Sequence, residues 1–235
     1  MTVSVIVPFR PDGAEREDNW HYLQDKWSRA FPEWELITGD CRSDTWIKAD
    51  AIADALIPAT GDIIVMADAD VWCEGIGAAV TRVKDGLTWA VPHLAVHRLT
   101  EKSTRSIRNN DPIQTREYEE HPYEGVVGGG MFVMRRSAYE AAPIDRRFQG
   151  WGQEDQSAGM AWTTLYGLPW RGIDPLWHLW HPPMERQSRV IGSDESRALW
   201  ERYRRANHNR PAMRVLVGEG VESNESVHSI SDGVR

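Results

Sequence analysis

Apolar residues along this chain fall into short dense runs and looser stripes, and the two alternate. Val3-Ser4-Val5-Ile6-Val7 is a β-branched run closed by Pro8, the pattern of a first strand buried in a parallel sheet. Residues 18–29 then carry Trp20, Leu23 and Trp27 at helical spacing, and residues 35–38 return to a strand, so the chain opens with strand, helix, strand. A second helical stripe over 45–56 (Trp46, Ala49, Ile52, Ala53, Leu56) stops at Pro58 and Gly61, and the apolar run 62–67 leads straight into Asp68-Ala69-Asp70. Residues 87–96 are strand-like. Residues 100–120 are polar and poorly periodic, which reads as an excursion over the surface of the kind that often contacts substrate. After Gly128-Gly129-Gly130 come a strand at 131–134, a short helix at 136–141 ending before Pro143, and a clear helix at 152–166 with Glu154 and Asp155 in its first turn. A Trp-rich strand at 173–179 leads to His181-Pro182-Pro183, and a helix over 193–205 starts at a Ser cap.

This alternation predicts an α/β fold, a single Rossmann-like domain with helices flanking the sheet, although the first loop lacks the GxGxxG of dinucleotide binders. The catalytic domain is expected over 1–210. Residues 211–235 turn polar and read as a mobile C-terminal extension, most of all 219–235 with its Ser, Glu and Gly. No internal repeat is present.

Several positions carry candidate chemistry. Asp68 and Asp70 end an apolar strand and are followed by Val71-Trp72, so the carboxylates sit at a rim, where they can hold a hard divalent ion and organise ribose or water. His178 and His181 either complete such a site with Asp70, which favours Mn2+ over Mg2+ because Mn2+ accepts nitrogen more readily, or are half-buried histidines that only hydrogen-bond. In Gly150-Trp151-Gly152-Gln153-Glu154-Asp155, two glycines let the backbone approach a ligand, the indole of Trp151 forms a wall, and the acids at a helix start can bind and deprotonate a hydroxyl or simply face the helix dipole. Gly129 and Gly130 belong either to a flexible turn or to backbone passing beneath a donor. Pro182–Gly192, with Arg186 and Arg189, is either a solvated basic loop or one that closes over a diphosphate.

The net charge of −8 argues against a protein that binds nucleic acid by neutralising many phosphates, whereas two phosphates can be met locally by a cation and one or two basic side chains. Cys41 and Cys73 lack ligand spacing and read as reduced thiols, and no segment approaches the roughly 18 apolar residues of a membrane span. Twelve Trp against four Phe is compatible with sugar binding, since an indole face covers the C–H face of a pyranose, but most of these rings are expected in the core.

Four segments, in order, resemble the GT-A glycosyltransferases related to β-1,4-galactosyltransferases, polypeptide N-acetylgalactosaminyltransferases and the bacterial chondroitin-polymerase type. They are VIVPFR, GDIIVMADADV, GGGMFVMRRSAYEAAPIDRRFQGWGQED and WHLWH, and together they cover roughly residues 3–185. The resemblance implies the GT-A fold, with a mixed central sheet, and metal-dependent transfer of a sugar from a nucleotide-diphosphate donor, UDP-linked, to a hydroxyl of a glycan or protein acceptor. It implies nucleotide contacts from Pro8, Phe9, Arg10 and Lys48, ribose or metal contact from Asp68, and Mn2+ or Mg2+ ligation by Asp70 and His181, with His178 as a second candidate. Trp151 would line the pocket with Gly129 and Gly130 beneath the donor, Glu154 would bind the acceptor, and Asp155 would be the base of an inverting reaction, retaining relatives having Asn there. Gln153 departs from the family's usual Gly. The family's stem and membrane anchor are absent, which leads to the expectation of a cytoplasmic enzyme of a bacterial or phage-infected cell. Retaining transfer and a noncatalytic nucleotide-sugar-binding module are the alternatives; a nucleotidyltransferase would need a Gly-rich basic signature that is missing.

Overall fold

The computed structural model describes residues 1–41, 43–109, 117–118, 121–125, 127–150, 152–182 and 193–231, of which 223–231 are described by backbone alone. The strands are β1 (Val3–Pro8), β2 (Glu35–Gly39), β3 (Ile63–Ala67), β4 (Val71–Trp72), β5 (Trp89–Arg98), β6 (Met131–Arg135) and β7 (Trp170–His178). The helices are α1 (Glu15–Ala30), α2 (Lys48–Leu56), α3 (Ile76–Lys84), α4 (Glu101–Arg108), α5 (Arg136–Ala141), α6 (Glu154–Tyr166), α7 (Asp194–Ala206) and α8 (Arg210–Ser231). One sheet runs β2-β1-β3-β6-β5-β7-β4. β1 is parallel to β2 and β3, and β5 to β7; β6 is antiparallel to both its neighbours, and β4 to β7. The sheet is therefore mixed, and β1, β3, β5 and β7 point their carboxyl ends the same way.

The dense apolar runs follow from burial on both faces. Val3, Val5 and Val7 of β1, Ile63 and Val65 of β3, and Met131 and Val133 of β6 face one layer with Trp20, Leu23 and Trp27 of α1 and Ile76, Val80 and Val83 of α3. Ile6, Ile64, Met66, Phe132 and Met134 face the other, against Ile52 of α2, Trp162 of α6, and α7 and α8. A strand with a helix layer on each side has no polar face to show, so it loses the alternation of a half-exposed strand.

Residues 211–222, expected at the start of a C-terminal extension, belong to α8, which packs on α6 and α7 with Met213, Leu216 and Val217 buried; residues 232–235 lie outside the described residues. The stripe at i, i+3 and i+4 is too narrow to lift the average hydropathy, yet it suffices to seat a helix. Arg147 secures it: its Nη2 donates to the Leu216 carbonyl at 3.0 Å, its Nη1 pairs with Glu219 at 3.0 Å, and it is bidentate on Asp145, whose carboxylate also accepts from the Tyr203 hydroxyl at 2.9 Å. The polar stretch 100–120 holds helix α4 in its first part; residues 110–116 and 119–120 lie outside the described residues.

Candidate functional site

A cavity of about 770 Å³ opens where β1, β3, β5 and β7 end. Its walls include Pro8 at the end of β1 and Arg10 beyond it, Asp68 and Asp70 beyond β3, Arg98 and Leu99 at the end of β5, and His178 at the end of β7. Lys48, Glu154, Asp155 and His181 close it. Ligands of open α/β sheets gather at the carboxyl ends of strands, and the sheet order puts these residues there although they are up to 173 positions apart, from Pro8 to His181.

Asp70, His178 and His181 offer three ligand atoms within 4.8 Å of one another. Asp70 Oδ1 lies 3.8 Å from His178 Nε2, and Oδ2 lies 3.4 Å from His181 Nε2. Hard divalent ions sit about 2.0–2.6 Å from their ligands, which puts neighbouring ligand atoms roughly 3–4 Å apart, so these spacings fit one ion. The imidazoles are oriented for it. Nδ1 of His178 faces the Leu179 carbonyl at 2.9 Å, and Nδ1 of His181 faces the Pro182 carbonyl at 3.0 Å. A proton held on each Nδ1 leaves the Nε2 lone pairs directed at Asp70, the arrangement by which outer-shell carbonyls fix a metal-binding tautomer. Burial pushes the His178 pKa down, which favours the neutral ligand form. Burial opposes ionisation of Asp70, but with no cation bound the facing His178 and His181 rings, in their protonated form, together with Arg16 and Lys48 hold its carboxyl below the usual range. A donor set of one carboxylate and two imidazoles suits Mn2+ better than Mg2+.

In the same cavity Lys48, the first residue of α2, joins two carboxylates: Nζ lies 2.8 Å from Asp68 Oδ1 and 3.0 Å from Asp155 Oδ1. Burial disfavours its charge, yet Asp155 and Asp68 more than offset this, and its pKa is raised well above the ordinary value. Asp155 is pushed up by burial and partly restored by Lys48. Glu154 is pushed up to about 7 by burial and by the neighbouring Asp155, and its Oε2 has no hydrogen-bond partner among the described residues.

The glycines around residue 151 have a backbone role. Gly150 and Gly152 take φ of 78° and 105°, a conformation that the turn itself asks of a residue without a Cβ, and Gly150 lines the cavity. Gln153 also takes positive φ, 73°, a conformation that strains an L-residue by about 1–2 kcal/mol and that a glycine adopts freely. Trp151 lies outside the described residues, as do 183–192 with Arg186 and Arg189.

Three expected donor contacts are placed elsewhere. Phe9 is buried in the core against Trp20 (centroids 6.0 Å apart) and does not line the cavity, because it continues the inward alternation of β1 from Val7. Gly129 and Gly130 do not line it either. Gly130 (φ 72°) accepts the Asp68 N–H at 2.9 Å, and a Cβ there would meet Leu176 at 2.6 Å. A Cβ on Gly128 would strike the Asp155 carbonyl oxygen, and Gly159 of α6 lies against Gly128 in turn. The triplet therefore seats α6 and Asp68 by close backbone packing. Pro8, Arg10, Lys48, Asp68, Asp70, Glu154, Asp155, His178 and His181 do share the cavity. Arg16, whose Nε lies 3.7 Å from Asp70 Oδ2, and Arg98 share it too, and nothing in their local sequence distinguishes them from surface arginines.

No protein-family model matches the sequence, and no curated protein matches it. Solved structures do. A Mycobacterium tuberculosis glucosyl-3-phosphoglycerate synthase in complex with Mn2+, UDP and glucosyl-3-phosphoglycerate is 14% identical, covering 85% of this chain and 78% of that one with a TM-score of 0.54. A variant of Drosophila β1,4-galactosyltransferase 7 in complex with manganese, UDP-Gal and xylobiose is 16% identical over 85% of this chain and 79% of that one, TM-score 0.53. The catalytic domain of the same fly enzyme with xylobiose aligns over 72% of this chain at 16% identity with a TM-score of 0.48; the chain spans 64% of it, just under two thirds. The first two alignments establish the fold: the chain has the GT-A fold of glycosyltransferases.

Proposed function

We propose that this chain is a metal-dependent glycosyltransferase that moves a sugar from a UDP-linked donor to a hydroxyl of a glycan or protein acceptor, with inversion at the anomeric carbon. The observation that carries the reading is one cavity holding the Asp70–His178–His181 ligand set and, joined to it through Asp68 and Lys48, the Glu154–Asp155 pair. The Mn2+ and UDP complexes of proteins with the same fold support it.

Bound Mn2+ or Mg2+ would supply the positive charge that offsets the charge developing on the departing diphosphate. Pro8, Arg10 and Asp68 flank the nucleotide side. Asp155, kept ionised by Lys48, takes the proton of the acceptor hydroxyl; that oxygen bonds to the anomeric carbon as the bond from this carbon to the diphosphate oxygen breaks, and the nucleoside diphosphate leaves with the electron pair. Glu154 positions the acceptor through its unpartnered oxygen.

That same oxygen favours a second assignment, in which Glu154 takes the proton and Asp155 serves to hold Lys48. The pH dependence of turnover separates the two: the rising limb follows Glu154 and vanishes in Glu154→Gln only under the second. A panel of UDP-, GDP- and dTDP-sugars, screened for Mn2+-dependent hydrolysis by mass spectrometry, tests the function itself. Release of UDP from one sugar nucleotide, abolished by EDTA, is expected; neither binding nor hydrolysis of any of them with Mn2+ present refutes the proposal.

A further inference from the structure

The three proposed metal ligands are not held in the same way. Asp70 and His178 are fixed by the sheet: Val71 pairs with His178, the Leu179 N–H donates to the Asp70 carbonyl at 2.8 Å, and the Leu99 N–H donates to the His178 carbonyl at 2.9 Å. β7 ends at His178, so His181 lies three residues beyond the last ladder. Between them stands Trp180, and side chains from two helices hold both of its backbone polar groups. The Trp180 N–H donates to Thr104 Oγ1 of α4 at 2.8 Å, and the Trp180 carbonyl accepts from Asn19 Nδ2 of α1 at 2.8 Å.

Both residues are buried polar groups at positions where an apolar side chain would pack helix on sheet. Asn19 is 0% and Thr104 1% exposed. Such groups are tolerated where their hydrogen bonds are made, and these are made to the two successive peptide units that flank the Trp180 Cα, the second of which leads into His181. The Asn19 amide has a defined orientation. Its Oδ1 accepts from Arg108 Nη1 at 3.2 Å, and Arg108 Nη2 is anchored on Glu15 Oε2 at 2.7 Å. An amide turned the other way would set two oxygens against each other and the NH2 against a guanidinium.

We infer that Asn19 and Thr104 are positioning residues of the metal centre, which clamp Trp180 and thereby set where the His181 imidazole meets Asp70. The inference rests on the metal site proposed above. Arg108 and Glu15 act one step farther out by holding the Asn19 amide.

The test uses the full chain, stripped of metal, with Thr104→Val, Asn19→Leu and Asp70→Ala, and with Thr104→Ser to restore the hydroxyl. Mn2+ dissociation constants come from the electron paramagnetic resonance signal of the free ion, and the visible spectrum of bound Co2+ reports coordination geometry. Proteins are compared when their near-ultraviolet circular dichroism matches the parent. Thr104→Val and Asn19→Leu should weaken Mn2+ binding by about 10–100-fold and alter the Co2+ spectrum, while Thr104→Ser stays within about threefold. Arg108→Met, which acts on Trp180 through the Asn19 amide, should move in the same direction by less, which keeps the test open should Asn19→Leu not fold. Parental affinity and an unchanged Co2+ spectrum in Thr104→Val and Asn19→Leu, with Asp70→Ala binding weakly, overturn the clamp alone. Parent protein that binds Mn2+ no better than Asp70→Ala overturns the metal site and the clamp with it.

Discussion

Replacing Glu154 by glutamine should stabilise the protein, and should do so only above a definite pH. The Glu154 carboxyl sits at the start of α6 with Oε2 unpartnered among the described residues, and burial together with Asp155 raises its pKa from 4.5 to about 7. A group whose folded-state pKa is raised favours the folded state below its unfolded pKa and loses that contribution as pH climbs through the folded value. At about 1.4 kcal/mol per tenfold change in proton affinity, the loss amounts to roughly 3 kcal/mol above pH 7. Glutamine keeps the shape and never ionises. The stability difference between Glu154→Gln and parent should therefore be flat below about pH 4.5, grow between pH 4.5 and 7, and level off near 3 kcal/mol above it. For a chain of this size 1 kcal/mol moves Tm by about 2–4 °C, so roughly 6–12 °C separates the two ends of the profile. Parallel calorimetric melts from pH 4 to 8.5 in EDTA measure it, and taking the difference cancels the titrating groups that do not interact with Glu154. A difference that stays constant across that range, or runs the other way, refutes the placement of Glu154 in a desolvated, acid-flanked position.

Asp70→Ala should abolish Mn2+ binding and turnover together, whereas Asp155→Asn should abolish turnover and leave the Mn2+ affinity near that of the parent; calorimetric titration checks both. Lys48→Met leaves Asp68 and Asp155 facing each other without their cation, and should lower stability by about 3–5 kcal/mol at neutral pH, with the loss shrinking in acid as the carboxylates protonate. Urea unfolding at two pH values reads this directly. Met213→Ala should cost about 2–5 kcal/mol because Met213 is fully buried on the inner side of α8, while Val215→Ala on the exposed side of the same helix should stay within about 0.5 kcal/mol; equal effects would mean that α8 is not packed as described.

What the sequence made legible is what local pattern encodes. β1, β3 and β6 stood out because both of their faces are buried, and Asp68-Ala69-Asp70 because a carboxylate triplet is conspicuous after such a run. Glu154 and Asp155 were marked by their place in a helix start. Phe9 was misplaced because a residue just past a strand end can face core or cleft, and only the continued alternation against Trp20 decides it. α3 escaped notice because Ile76, Ala79, Val80 and Val83 form a short stripe diluted by Gly77 and Ala78, and α8 because its buried apolar residues Met213, Leu216 and Val217 form one short stripe with polar residues following. Thr104 and Asn19 had no signal at all: in sequence a buried Thr is the same as a surface one, and their partner Trp180 is 76 and 161 positions away.

The close contact of Gly128 with the first turn of α6 means that the acidic pair and the proposed cation ligands ride on separate mountings, one carried by the glycine turn and the other by β4, β7 and the loop after β7. Lys48 spans them like a strut of fixed length, reaching Asp68 on one side and Asp155 on the other. Redesign of the α6 side of the cavity can therefore proceed without disturbing the proposed cation side, provided both anchor points of that strut stay where they are.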